Sequence, residues 1–193
     1  MSSYLPVPFV SPSPQAEMMG GPVLLALIEN MRADEIQPIL QKYGLDSIGV
    51  HSWYPMQQFL DLFKDIVEKK ENVNEELVAI GVAGLDTVIT LLSPQLDSVE
   101  SALLFIDQVT PLQCRNIPIG FGAPAQIVGP KHALLFNNMP FDHRTLYGIA
   151  WAMVNRYKLP DETFVIKVLP PEEGKPTTFD IRWGTLEELE EDS

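Results

Sequence analysis

The sequence predicts an α+β protein: a helical N-terminal part packed on a C-terminal antiparallel sheet that carries one helix. Three observations predict it. Apolar residues recur at spacings of three and four through residues 17–110. Short alternating runs replace that pattern over residues 112–183. Close turns join neighbouring runs, which implies antiparallel pairing and segregated helices and strands. The chain has 193 residues and is 46% hydrophobic, enough apolar material for the core of one domain.

The first sixteen residues, with Pro6, Pro8, Pro12 and Pro14, have no helical period and read as an extended arm, 1–16. Its Tyr4, Leu5, Val7, Phe9 and Val10 suit a groove or a partner chain. One domain is predicted over 17–183, with a helical part at 17–110 and a sheet part at 111–183. A first helix spans Glu17–Asn30. Asp34 caps the next, which ends near Tyr43 with Gly44 at C′. Pro55 suits the first turn of a third helix, whose Met56, Phe59, Leu60, Phe63, Ile66 and Val67 form one apolar stripe. Asn74 caps a fourth. Gly81 and Gly84 on its apolar side each cost about 1 kcal/mol against alanine, which predicts close approach of the second part of the chain. Ser93-Pro94 opens a fifth helix, Gln95–Val109, closed by Thr110-Pro111.

Ala125–Val128 and Ala133–Phe136 read as strands around Gly129-Pro130. Asp142 caps a helix bearing Leu146, Ile149, Ala150, Met153, Val154 and Tyr157. Two alternating runs follow, with Phe164, Ile166 and Val168 on one face and Phe179, Ile181 and Trp183 on the other run's equivalent face. Residues 184–193 form an acidic tail, read as solvated or as a frayed helix.

The net charge of −13 argues against a nucleic-acid binder and against docking on anionic lipid. One cysteine, Cys114, excludes an internal disulfide and a multi-cysteine zinc site. No apolar run reaches the ~18 residues of a membrane helix, and no basic residue precedes Arg32, so a soluble cytoplasmic protein without a membrane span is expected. The motifs HExxH, GxSxG and GxxxxGK(S/T) are absent. Gly120–Ala125 matches GxGxxA only formally, because Pro124 interrupts it and a strand follows. His51, His132 and His143 have no second ligand at metal spacing. Cys114 lacks a histidine partner and reads as a buried thiol. Asp61 and Asp65 form a solvated face with Lys64 and Lys69, and Asp97 and Glu100 suit a helix N-terminus. No catalytic and no metal site is predicted.

The element order and three local patterns resemble a ligand-binding superfamily. The patterns are His143-Arg144-Thr145-Leu146-Tyr147-Gly148-Ile149, the run from Gly174 through Phe179-Asp180-Ile181-Arg182-Trp183, and Gly49 through Trp53-Tyr54-Pro55. The superfamily is that of the H-NOX (haem nitric oxide/oxygen binding) domains, the vinyl-reductase-type domains and the TRAPP vesicle-tethering subunits. The resemblance spans about Met18 to Trp183. It implies an H-NOX-like α+β domain with a ligand site between helices and sheet.

The chain departs from that pattern. H-NOX domains ligate haem iron through a histidine on the helix before the sheet. Gln95–Val109 contains none, and Glu100 falls at or near the ligand position. The Tyr-x-Ser-x-Arg motif that binds the haem propionates is missing, and Phe136-Asn137-Asn138-Met139-Pro140 stands in its place without a cation. Lys175–Thr178 lacks the cysteines of vinyl-reductase-type domains, and the acylated cysteine of some tethering subunits has no counterpart. Ordinary haem binding is therefore not expected.

The expected function is a non-catalytic sensory or regulatory domain holding a hydrophobic or heterocyclic small molecule, with no haem cofactor, and signalling to a separate protein partner. The alternatives are a ligand-free dimerisation scaffold of the same fold, with a homodimer as its assembly, and a haem-based gas sensor with ligands foreign to the family. Trp53, Phe59, Phe63, Leu103, Tyr147 and Trp151 are the expected pocket lining. A ligand site predicts an enclosed apolar cavity of at least ~300 Å³; a scaffold predicts a closed core and an apolar dimer face.

Overall fold

A computed structural model describes residues 9–47, 49, 51–69, 73–170, 172–173 and 175–191. Tyr4, Leu5, Val7 and Gly174 lie outside the described residues. The elements run β1 (Glu17–Met19), α1 (Gly20–Asn30), α2 (Ala33–Lys42), β2 (Trp53–Pro55), α3 (Met56–Lys69), α4 (Val73–Leu92), α5 (Val99–Gln113), β3 (Cys114–Arg115), β4 (Ala125–Gly129), β5 (His132–Asn137), α6 (His143–Tyr157), β6 (Thr163–Val168), β7 (Thr177–Gly184) and α7 (Leu186–Glu191). The four-stranded sheet is antiparallel in the order β4-β5-β7-β6. The α+β architecture expected from the sequence is the one observed.

Much of the local structure follows from local chemistry. The α3 stripe is buried at Met56, Phe59, Leu60, Phe63 and Ile66. Gly44, at φ +64°, ends α2 in a Schellman turn: the Leu45 N–H donates to Leu40 O at 2.8 Å and the Gly44 N–H to Gln41 O at 3.1 Å. Phe179, Ile181 and Trp183 alternate inward along β7. Asp142 caps α6, accepting the Arg144 N–H at 2.9 Å.

Other boundaries differ from those expected, each for a tertiary or capping reason. Glu17–Met19 is a strand, not a helix start. It pairs antiparallel with both β2 and β3, forming a second, three-stranded sheet. Glu17 and Arg115 pair across it at 2.6 Å, and the guanidinium lies 4.5 Å from the Trp53 ring centroid. The N-cap of α2 is Arg32; Asp34 sits in the first turn and pairs with Arg32 at 3.0 Å. Asn74 likewise lies inside the first turn of α4 rather than at its cap, and accepts from the Arg144 guanidinium. The fifth helix begins at Val99 rather than Gln95, because Ser98 and Ser101 form a reciprocal capping box. Pro111 lies inside its last turn instead of ending it. Asp65 pairs with Lys42 of α2. The first described residues dock on α3, where Gln57 accepts the Ser11 N–H at 2.8 Å and donates to Phe9 O at 3.0 Å. At the other end Glu188 of α7 pairs with Lys131 at 2.8 Å, and Lys131 also holds the buried Glu162 at 3.0 Å.

The buried apolar residues form two cores. One joins α1, α2 and α3 with the first part of α4; the other joins the rest of α4, α5, α6 and the four-stranded sheet. Helices α4 and α6 carry the seam between them. A Cβ built on Gly81 would lie 2.1 Å from Thr145 O, and one built on Gly148 would lie 2.1 Å from Val78 O. Backbone meets backbone at both positions. Gly84, by contrast, meets only the Ala26 Cβ of α1 at 3.9 Å, an ordinary contact. The close approach expected of Gly81 is thus made with α6, whereas Gly84 does not take part in it.

These distances separate the three glycines. Gly81→Ala and Gly148→Ala should each lower stability by at least ~1–3 kcal/mol, since backbone rather than a flexible side chain must move. Gly84→Ala should raise it by up to ~1 kcal/mol through helix propensity alone. Denaturant midpoints check this, and equal behaviour at all three positions would disprove the assigned contact.

Candidate functional site

The α4–α6 contact leaves space beside it. A cavity of about 140 Å³ lies where the two cores meet. Met18, Phe63 and Ile80 reach it from the first core, and Val88, Ile106 and Met153 from the second. Gly84 contributes no side chain, and the backbone contact at Gly81 prevents the helices from closing over the void. The volume is below the ~300 Å³ expected for a drug-sized ligand. It is close to the ~150 Å³ of an engineered apolar cavity that stays dry and binds benzene.

Of the six residues expected to line a pocket, Phe63 does so, edge-on to Phe141 with ring centroids 5.7 Å apart. The other five lie elsewhere. Phe59 is fully buried against Tyr54 in the first core, and Leu103 is fully buried in the second. Trp53 sits under Arg115 on the small sheet. Tyr147 and Trp151 lie about half a turn away from Thr145 and Ile149, the residues that α6 turns to the cavity. Their rings pack instead toward Phe179 and Phe164, and Trp151 remains 39% exposed. The spacing of Thr145, Ile149 and Met153 at i, i+4, i+8 is the sequence signal for the face that α6 turns to this cavity.

Thr110, Gln113, Cys114, Asn137, Asp142 and Thr145 are the polar or ionisable residues of the lining. Burial pushes the Cys114 thiol up to about 12, so it stays protonated and unreactive. Asn137 Oδ1 accepts the Met139 N–H at 3.2 Å. Thr145 Oγ1 is buried and has no hydrogen-bond partner among the described residues. For Asp142, burial alone would raise the pKa, but hydrogen bonds from the Arg144 guanidinium and N–H, with its charge, hold the carboxyl below its usual range. The guanidinium approaches it at 2.6 Å and also reaches Asn74, tying the start of α6 to the start of α4.

Outside the cavity lies an open groove of about 650 Å³, bordered by Val10, Ile119, Phe121, His143 and Lys175. Asn137, Met139 and Phe141 line both spaces, so this loop is the wall between them. Burial holds the His143 imidazole below its usual pKa; Arg144 adds to the effect and Asp142 opposes it. His132 lies on β5, 3.2 Å from Asp180, and His51 is exposed. Glu100 sits half-buried in the first turn of α5 and does not line the cavity. No histidine, lysine or arginine lines the cavity among the described residues, and no cluster of three His, Cys, Asp or Glu there suits a metal ion. No helix among them is long and apolar enough to cross a membrane.

No family model matches the chain, and no curated protein does. Solved structures do match. An H-NOX protein studied for the function of haem distortion is 16% identical, with 88% of this chain and 95% of that chain covered and a TM-score of 0.65. The Cs H-NOX mutant carrying 4-cyano-L-phenylalanine at site 5 is 15% identical, covering 87% and 97%, with a TM-score of 0.64. An H-NOX protein from S. oneidensis in its Fe(II)NO ligation state is 14% identical, covering 86% and 99%, with a TM-score of 0.63. The protein is an α+β chain of H-NOX-like fold. At these identities the likeness is one of fold.

The Asp142–Arg144 pair yields a pH-dependent expectation. A carboxyl with a depressed folded-state pKa contributes stability that is present above its unfolded value and lost as the pH falls through the folded one. Asp142→Ala should therefore lower stability by about 1–3 kcal/mol at neutral pH. The gap from wild type should narrow as the pH drops below ~4. Urea midpoints of both proteins across that range test it; a gap that does not change with pH would show that the charge is not what secures the helix.

Proposed function

We propose that the protein is a non-catalytic sensory domain that holds a small apolar molecule at the seam of its two cores, without haem. The observation that carries this reading is the apolar cavity of about 140 Å³ lined from both cores. A ligand there contacts α4 and α6 on either side of their backbone contact, so its occupancy bears on how the cores are held together. Binding to the folded state stabilises it by mass action, by about 2.7 kcal/mol at a hundredfold excess over Kd. Signalling would pass to a separate protein partner.

Haem does not suit these residues. The cavity is too small, its lining offers no histidine and no cation for propionates, and Gly81 and Gly148 bring backbone together beside it. The absence of acid–base pairs in the lining supports a non-catalytic role: Asp142 is committed to Arg144 and Cys114 is held as a thiol.

A scaffold function of the same fold has its own support in exposed apolar side chains. Leu91 and Leu92 end α4 at 54% and 43% exposure, and Leu104 and Leu112 project from α5. Native mass spectrometry separates the two readings by subunit count and bound ligand.

Two titrations test the sensory reading. Benzene should raise the thermal midpoint of the wild type and have no such effect on Gly84→Leu, whose side chain enters the cavity. Haemin should give no sharp one-to-one Soret band. A wild type indifferent to benzene would remove the ligand reading. A stoichiometric Soret band lost on replacing His51, His132 or His143 would restore haem.

A further inference from the structure

The four-stranded sheet ends in two edges, β4 and β6, and the two are built differently. Strand β6 alternates exposed and half-buried residues and carries the exposed Lys167, the kind of charge that keeps another strand from pairing with an edge. Strand β4 carries no charge. Its Gln126, Ile127 and Val128 are exposed in succession, Ile127 at 37% and Val128 at 41%. The Phe136 N–H donates to Pro124 O, and Gln126 stands opposite Leu134, so Pro124 and Gln126 are the positions bonded to β5. Ala125 and Ile127 therefore turn their N–H and C=O groups to the open edge, where no other backbone group among the described residues meets them. The bulge between Ile127 and Gly129 follows this stretch and leaves 125–127 regular.

We infer that this edge pairs with the same edge of a second copy of the chain, antiparallel and centred on Gln126, so that two four-stranded sheets join into one. In that register Ala125 of each copy faces Ile127 of the other. Each such pair exchanges both of its N–H···O bonds, which satisfies the outward groups on both sides. Charge selects the occupant. Each copy carries −13, so two copies repel wherever their acidic surfaces face each other. Residues 116–130 hold no charged side chain, and this is the stretch that forms the edge. Helix α5 packs beside β4 and adds the exposed, uncharged row Leu104, Gln108 and Leu112. The inference rests on the scaffold reading and gives it an interface; the cavity takes no part, because neither β4 nor this row lines it.

Sedimentation velocity of the full chain over a concentration series should show a monomer–dimer equilibrium. Ile127→Lys places a charge on the open edge and should weaken the dimer by about tenfold or more. Val165→Lys, which places the same charge on β6 at the opposite edge, should leave the equilibrium unchanged. Both variants are less negative than the wild type, so general repulsion cannot account for a lost dimer. Gln126→Cys puts two sulfurs beside the two-fold axis in a non-hydrogen-bonded pair, whose Cα separation of about 4.5 Å suits a disulfide. Oxidised glutathione should link this variant into covalent dimers and leave the wild type, whose Cys114 is buried, unlinked. A wild type that stays monomeric at every concentration overturns the inference and the scaffold reading together, and leaves the ligand reading standing. A dimer that Ile127→Lys leaves intact overturns this edge and assigns the scaffold to another face. Should Ile127→Lys fail to fold, the cysteine variant decides: no covalent dimer, from a chain whose wild type dimerises, overturns the inference.

Discussion

The backbone contact between α4 and α6 sets the distance between the two halves of the molecule, and with it the volume left at their seam. Two glycines make it possible from opposite sides: Gly81 of α4 lies against the Thr145 carbonyl, and Gly148 of α6 lies against the Val78 carbonyl. The helices run parallel along this contact. Arg144 reaches Asn74 at one end and Arg156 reaches Asp86 at the other, each pair 70 residues apart in sequence. A contact that leaves no room for a Cβ cannot slide by one residue without placing a side chain in the other helix's backbone. The register is therefore set by steric exclusion, and the polar pairs at either end align with it.

The cavity is a consequence of that contact. Protein interiors normally close over voids of this size, because each lost dispersion contact weakens the fold. Here α4 cannot approach α6 more closely, and Gly84, one turn beyond the contact, offers no side chain to fill the gap. The surrounding residues belong to two separate cores, so inward collapse would have to distort both at once. The loop carrying Asn137, Met139 and Phe141 then closes the side that faces the outer groove. An H-NOX-like fold is thereby combined with an interior void of about 140 Å³ at the seam of its two cores.

Arg144 holds the Asp142 carboxyl below its usual range and burial pushes the Cys114 thiol up, so the first stays charged and the second protonated near pH 7; His143, in the groove outside, is held below its usual range by burial.

The sequence by itself determined those features whose cause is local. The three-and-four spacing of Met56 through Ile66 specified α3 and its buried face, and the alternation of Phe179, Ile181 and Trp183 specified β7. Gly44 and Asp142 marked a helix end and a helix start, because a positive φ and an uncapped N–H are satisfied by the residue on the spot. The H-NOX-like arrangement was legible in the order of the elements along the chain. Only the tertiary structure decided the small β2-β1-β3 sheet, since strands of two or three residues have no period to read and owe their existence to partners as distant as Met18 and Cys114. Tertiary structure also decided which glycines meet. Gly81 and Gly84 are equally apolar-facing on paper, but the partner Gly148 lies in another part of the chain. The placement of the aromatic residues was decided in the same way: residue type shows that Tyr147 and Trp151 seek burial, whereas the rotation of α6 about its axis, set by Gly148 against Val78, turns Thr145, Ile149 and Met153 to the cavity at the seam.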